Sequence, residues 1–135
     1  MHLLFLSDFN LTIIKMLVPA FMAILFLQSG MDKVLDYKGN LDYYKEHFKK
    51  SPLANTINLL TPILTVLELA ACILCSAGVI ALFFNNSNWA FWGLITSGIA
   101  FLSLFFGQRF AKDYAGAVTI TTYFILNMIG LILVM

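Results

Sequence analysis

The sequence predicts an all-α, polytopic membrane protein: one domain of four spanning helices in an up-down bundle, with a short amphipathic helix in the first loop. Three observations carry this. Hydrophobic residues make up 61% of the chain and charged ones 11%, against about 25% charged in a soluble domain. Of the eight Lys+Arg and seven Asp+Glu, nine fall between Asp32 and Lys50 and three between Arg109 and Asp113. The stretches Leu69–Gln108 and Tyr114–Met135 carry no charge, and roughly 20 apolar residues cross a hydrocarbon core of about 30 Å. Mean hydropathy is +0.89. Soluble globular, disordered and nucleic-acid-binding proteins are excluded. At 135 residues the length prior is one domain, and no repeat or linker divides it.

The first span is expected at 11–30, Leu11 to Gly30, interrupted only by Lys15. The second lies within the apolar stretch Leu53–Phe84, which is too long for one perpendicular crossing. Thr61 as N-cap with Pro62 at the first helical position sets this span at 61–84 and leaves Leu53–Leu60 as an interfacial piece. A single long helix kinked at Pro62 is the alternative. Asn85-Asn86-Ser87-Asn88 reads as a polar turn. The third span follows at 89–106, with Trp89 and Trp92 at the interface. Gly107–Tyr114 forms the next connection and 115–135 the fourth span.

In the loop 31–52, Asn40 is expected to cap a short helix. Leu41, Tyr44 and Phe48 share one of its faces, which lies either on the membrane surface or on the bundle. The N-terminus lacks a basic n-region and a cleavage site, so no removable signal peptide is expected. Seven Lys and Arg fall on the side of the loops 31–52 and 107–114, and one, Lys15, on the side of both termini. The positive-inside rule then places both loops in the cytoplasm.

Lipid gives helices no hydrophobic drive to associate, so small and polar residues are expected at interfaces. Such faces are Ala20, Ala23 and Gly30; Gly93, Ser97, Ala100 and Ser103; and Gly116, Tyr123, Asn127 and Gly130. In the second span Thr61, Thr65, Glu68, Cys72 and Cys75 step along one stripe. Glu68 is the sharpest feature, because a carboxylate inside a span faces the bundle and takes a partner. Lys33, Arg109 and the Tyr123 hydroxyl are the candidates. Its role is either to fix packing or to act as a proton, ligand or cation contact. Cys72 and Cys75 form a Cys-x-x-Cys; inside an apolar helix the spacing favours packing over a redox pair.

The only histidines, His2 and His47, lie outside the spans, which disfavours intrinsic haem ligation at membrane depth. No metal cluster spacing or phosphate-binding glycine motif occurs. No intrinsic cofactor is expected, although a quinone or lipid contact is compatible. An enzymatic role is disfavoured.

Ser29-Gly30-Met31-Asp32-Lys33 at the end of the first span, then Ser51-Pro52, then Glu68-Leu69 ahead of Gly78, resembles the DoxX-like family of small four-helix membrane proteins, with its DoxX, DoxD and MauE branches. The similarity runs from about Leu11 to Leu133, with Gly30, Lys33 and Glu68 as the matching positions. It implies a bacterial inner-membrane protein near redox chemistry. The leading expectation is an accessory subunit of a larger inner-membrane complex, redox or quinone linked, with the bilayer and other membrane subunits as partners. A small proton-coupled transporter using Glu68 and a membrane assembly factor are the alternatives.

Overall fold

The computed structural model describes the backbone of residues 2–135 and the side chains of 7–135, so the His2 side chain lies outside the described residues. The chain forms α1 (His2–Leu35), α2 (Tyr37–His47), α3 (Ile57–Leu82), α4 (Asn88–Phe110) and α5 (Tyr114–Val134), with a 3-10 turn at Ala54–Thr56. No strand occurs among the described residues. Four helices are long and apolar enough to cross a membrane, the architecture of a multi-pass protein. Each packs chiefly on its chain neighbour, and α5 returns to α1. The spans therefore alternate in direction. Both termini and the α3–α4 turn share one end, the terminal end. Helix α2 and the α4–α5 turn share the other, the loop end.

The spans run further than expected, and the ends explain why. Helix α1 continues past Gly30 to Leu35, so Asp32 and Lys33 sit in its last turns, where Lys33 also complements the helix dipole. Asp36 then breaks it and caps α2, accepting from the Gly39 amide at 3.2 Å. The expected cap, Asn40, instead donates to the Asp36 carbonyl at 2.9 Å and the Asp32 carbonyl at 3.3 Å, binding α2 to α1. The face of Leu41, Tyr44 and Phe48 turns onto the bundle, and Phe48 packs on Gly107.

Helix α3 corrects the expected start at Thr61: it begins at Ile57 and runs through Pro62. Proline removes the hydrogen bond to the carbonyl four residues back. That residue, Asn58, is exposed in the first turn, where water can replace the bond. Thr61 is no cap; it is buried, and its carbonyl accepts the Thr65 hydroxyl at 2.8 Å.

The two short turns are Schellman motifs. Asn85 takes φ 57° while the Asn86 amide reaches the Ala81 carbonyl at 3.1 Å. Lys112 takes φ 61° while the Asp113 amide reaches the Gln108 carbonyl at 2.9 Å. Asp113 at once caps α5 through the Gly116 amide at 3.0 Å. This compact exchange lets α4 run to Phe110 and α5 start at Tyr114.

Small residues bring the backbones together, as expected where lipid offers no drive. A Cβ on Gly78 would stand 2.6 Å from the Ala90 Cα, and one on Gly93 2.8 Å from the Cys75 amide nitrogen. At the terminal end, one on Gly130 would stand 2.5 Å from Val18. Met22, Phe26, Ala71, Leu94 and Phe101 fill the centre. Ser103 departs from its expected interface position: it is exposed and bonds back to the Ile99 carbonyl.

Candidate functional site

Glu68 lies 11 residues past the start of α3, about 16 Å along it at roughly 1.5 Å per residue. That is deeper than a helix starting at Pro62 would put it. Side chains on a helix lean toward its N-terminus. Lys33 on α1 therefore leans inward from the loop end, while Glu68 on the antiparallel α3 leans toward that end. They meet. Lys33 Nζ donates to Glu68 Oε2 at 3.0 Å and to Ser29 Oγ at 3.0 Å. Ser29 Oγ donates to the same Oε2 at 2.8 Å. Gly30, packed on Leu69, lets the helices approach here. Both charged side chains are buried. Glu68 Oε1 is also buried and has no protein partner.

Two cavities flank this centre. The smaller, about 370 Å³, opens between α1, α4 and α5, where Gln28, Asp32 and Tyr123 line it and Glu68 forms its deep wall. The close Gly130–Val18 contact pins α5 to α1 at the terminal end, and the cleft lies at the opposite end of that helix pair. The larger cavity, about 720 Å³, is a groove between α3 and α4 beneath α2. Its walls run from Thr56 of the 3-10 turn along α3 to Leu67, and along α4 from Leu102 to Gln108. Leu104 lines both cavities and stands between them.

The loop end of the groove is polar. His47 Nε2 lies 3.5 Å from Asp113 Oδ2, which ties α2 to the α4–α5 turn. Gln108 Oε1 is buried without a partner. Tyr44 lines the groove, and its ring centroid is 5.9 Å from Lys33 Nζ. Burial pushes the Tyr44 hydroxyl above its usual pKa, against the downward pull of the Lys33 ammonium.

Of the residues singled out from the sequence, Glu68, Lys33, Gly30 and Tyr123 gather around the centre or its cleft. Arg109 does not join them: it is exposed, its guanidinium 4.7 Å from the Tyr114 ring. It lies at the end of α4, where the interface supplies water and an aromatic face. Asn127 is buried elsewhere, donating to the Leu94 carbonyl at 2.9 Å and joining α5 to α4. Cys75 is buried with Sγ 3.6 Å from Ser97 Oγ; Cys72 is half-buried, and both thiols are free.

Sequence reasoning missed Ser29 as a ligand of Glu68. Its signal was the spacing: Ser29 and Lys33, four residues apart, share one face of α1. It also missed the His47–Asp113 pair and Gln108, which only the shared loop end brings together. No family model, curated protein or solved structure matches the chain.

Proposed function

We propose that the chain is a DoxX-like accessory subunit of a larger bacterial inner-membrane complex, redox linked, which holds a quinone-class molecule in the groove between α3 and α4. The observation that carries this is the form of the groove. It has an apolar wall about 16 Å long, and it closes at the loop end on Gln108 and the His47–Asp113 pair. A long-tailed carrier with a polar ring needs such a shape, and pockets of about 300–1,000 Å³ are the usual size for small-molecule sites.

The residues present fit the ring. The Gln108 amide can donate to a carbonyl oxygen, and its unpartnered Oε1 can accept a hydroxyl of the reduced form. His47, half-buried beside Asp113, can hold a proton at the mouth, where water reaches it. Leu59, Leu60 and Leu64 would flank the tail. When bound, a quinone supplies two-electron, two-proton carrier chemistry. The chain's own part is to bind and orient it beside a partner. The Lys33–Glu68–Ser29 centre supports a structural frame more than a transport carboxylate, because Oε2 is already held by two donors.

The test is titration of decylubiquinone into the protein in lipid nanodiscs. Saturable binding is expected, with Leu64→Trp, which fills the groove, and Gln108→Leu each weakening it about tenfold or more. The reading fails if the groove-filled protein is folded and binds as well as the parent.

A further inference from the structure

We propose that the cleft between α1, α4 and α5 is a second binding site, for the head of a protonated, membrane-dissolved amine. The inference goes beyond the quinone reading and uses a different cavity.

Glu68 forms the deep wall of this cleft and is fully buried, yet Oε1 has no partner while Oε2 receives two donors. A buried acceptor left open calls for a donor that the protein does not supply. Lys33 does not serve: its ammonium donates to Oε2 and to Ser29 and leaves Oε1 without a partner. No Lys, Arg or His is among the described residues that line the cleft. A second carboxylate, Asp32, stands at its rim and receives one long contact, from the Asn40 amide at 3.3 Å.

The remaining wall is aromatic. Phe26 lies on Phe101 with ring centroids 5.1 Å apart, and Phe101 on Tyr123 at 5.9 Å. Aromatic faces attract organic cations as well as apolar groups. A carboxylate oxygen seeking a donor, a second carboxylate at the entrance and a run of aromatic rings share one chemical preference. It is a cation that carries N–H donors on an apolar body. An anion meets the Asp32 carboxylate and the unpartnered Oε1 of a Glu68 whose charge Lys33 balances through Oε2, and a neutral alcohol lacks the charge attraction to Asp32 and to the ring faces. Asp32 near the end of α1 and Glu68 deep in the bundle give the amine a way in from the headgroup level.

The test uses the full-length protein in nanodiscs of zwitterionic lipid, with empty discs as the reference. Octylamine, 1-octanol and octanoate are titrated in parallel. Saturable binding of octylamine is expected, with octanol and octanoate at least about tenfold weaker. Glu68→Gln, which keeps the shape, is expected to weaken octylamine about tenfold or more, and Asp32→Asn to weaken it by a smaller factor. The groove-filling Leu64→Trp leaves octylamine binding unchanged, so this site and the quinone groove succeed or fail separately. If Glu68→Gln does not fold, Asp32→Asn and Tyr123→Leu carry the test from the accessible side of the cleft. The proposal is overturned if octanol or octanoate binds as well as octylamine. It is equally overturned if a folded Glu68→Gln keeps full affinity, or if octylamine binding does not exceed that of empty discs.

Discussion

Replacing Lys33 by Met is expected to be among the most damaging single changes in the protein. The Lys33 ammonium supplies one of the two donors to Glu68 Oε2 and also anchors Ser29. Without it, a fully buried carboxylate keeps a single hydroxyl donor on Oε2 and none on Oε1. Breaking a buried pair by removing one partner costs about 3–5 kcal/mol, most of it the penalty of the stranded charge. Replacing both charges with apolar residues of similar volume is often neutral or stabilising. Lys33→Met alone should therefore lose about 3–5 kcal/mol, and the double variant Lys33→Met/Glu68→Met should recover most of it. Equilibrium unfolding in mixed micelles, with the exposed Lys45→Met as reference, reads both. If Lys33→Met costs no more than Lys45→Met, or if the double variant loses as much as Lys33→Met alone or more, the pair does not hold α1 on α3.

Further outcomes follow from the packing and from the burial of Tyr44. Gly78→Ala drives a methyl against the Ala90 backbone at 2.6 Å and should cost about 1–3 kcal/mol. Gly98→Ala meets its nearest neighbour at 3.4 Å and should be tolerated in the same unfolding assay. Cys75 is fully buried, so maleimide should label Cys72 well ahead of it in the folded protein, and Cys72→Ala/Cys75→Ala should stay folded; a trapped reversible disulfide would contradict this. Cysteines placed at Lys45 and Lys112 should react with an impermeant reagent from the same side of the membrane, because His47 and Asp113 meet there. For Tyr44, burial raises the hydroxyl pKa above the usual 10.0. The neutral form is thus favoured on folding, and its contribution is complete below pH 10.0 and is lost as pH rises through the raised value. Tyr44→Phe should remove that part of the alkaline loss of stability.

Charge in an apolar background made the four spans legible and marked Glu68 as needing a partner, with Lys33 one of three candidates that the structure then selects. Glu68 is the lone charge of its span, and Lys33 the nearest cation on a neighbouring helix end. Helix limits were less legible, because local chemistry outweighed the pattern. Asp36 took the cap assigned to Asn40, and Pro62 was absorbed within α3. Asn85 and Lys112 closed the turns without glycine. The groove left almost no mark in the sequence. Its leucines read as ordinary span residues, and its polar end is assembled from α2, α4 and the α4–α5 turn. Arg109 was misplaced for a related reason: charge alone does not say which helix end reaches the middle of the bundle.

Native mass measurement after extraction in native nanodiscs tests the central claim most directly, since partner and carrier are weighed together. The accessory-subunit account predicts a stoichiometric complex of this chain with larger membrane subunits, carrying quinone that is lost in the groove-filled Leu64→Trp protein. A quinone-free homodimer of this chain alone would contradict it.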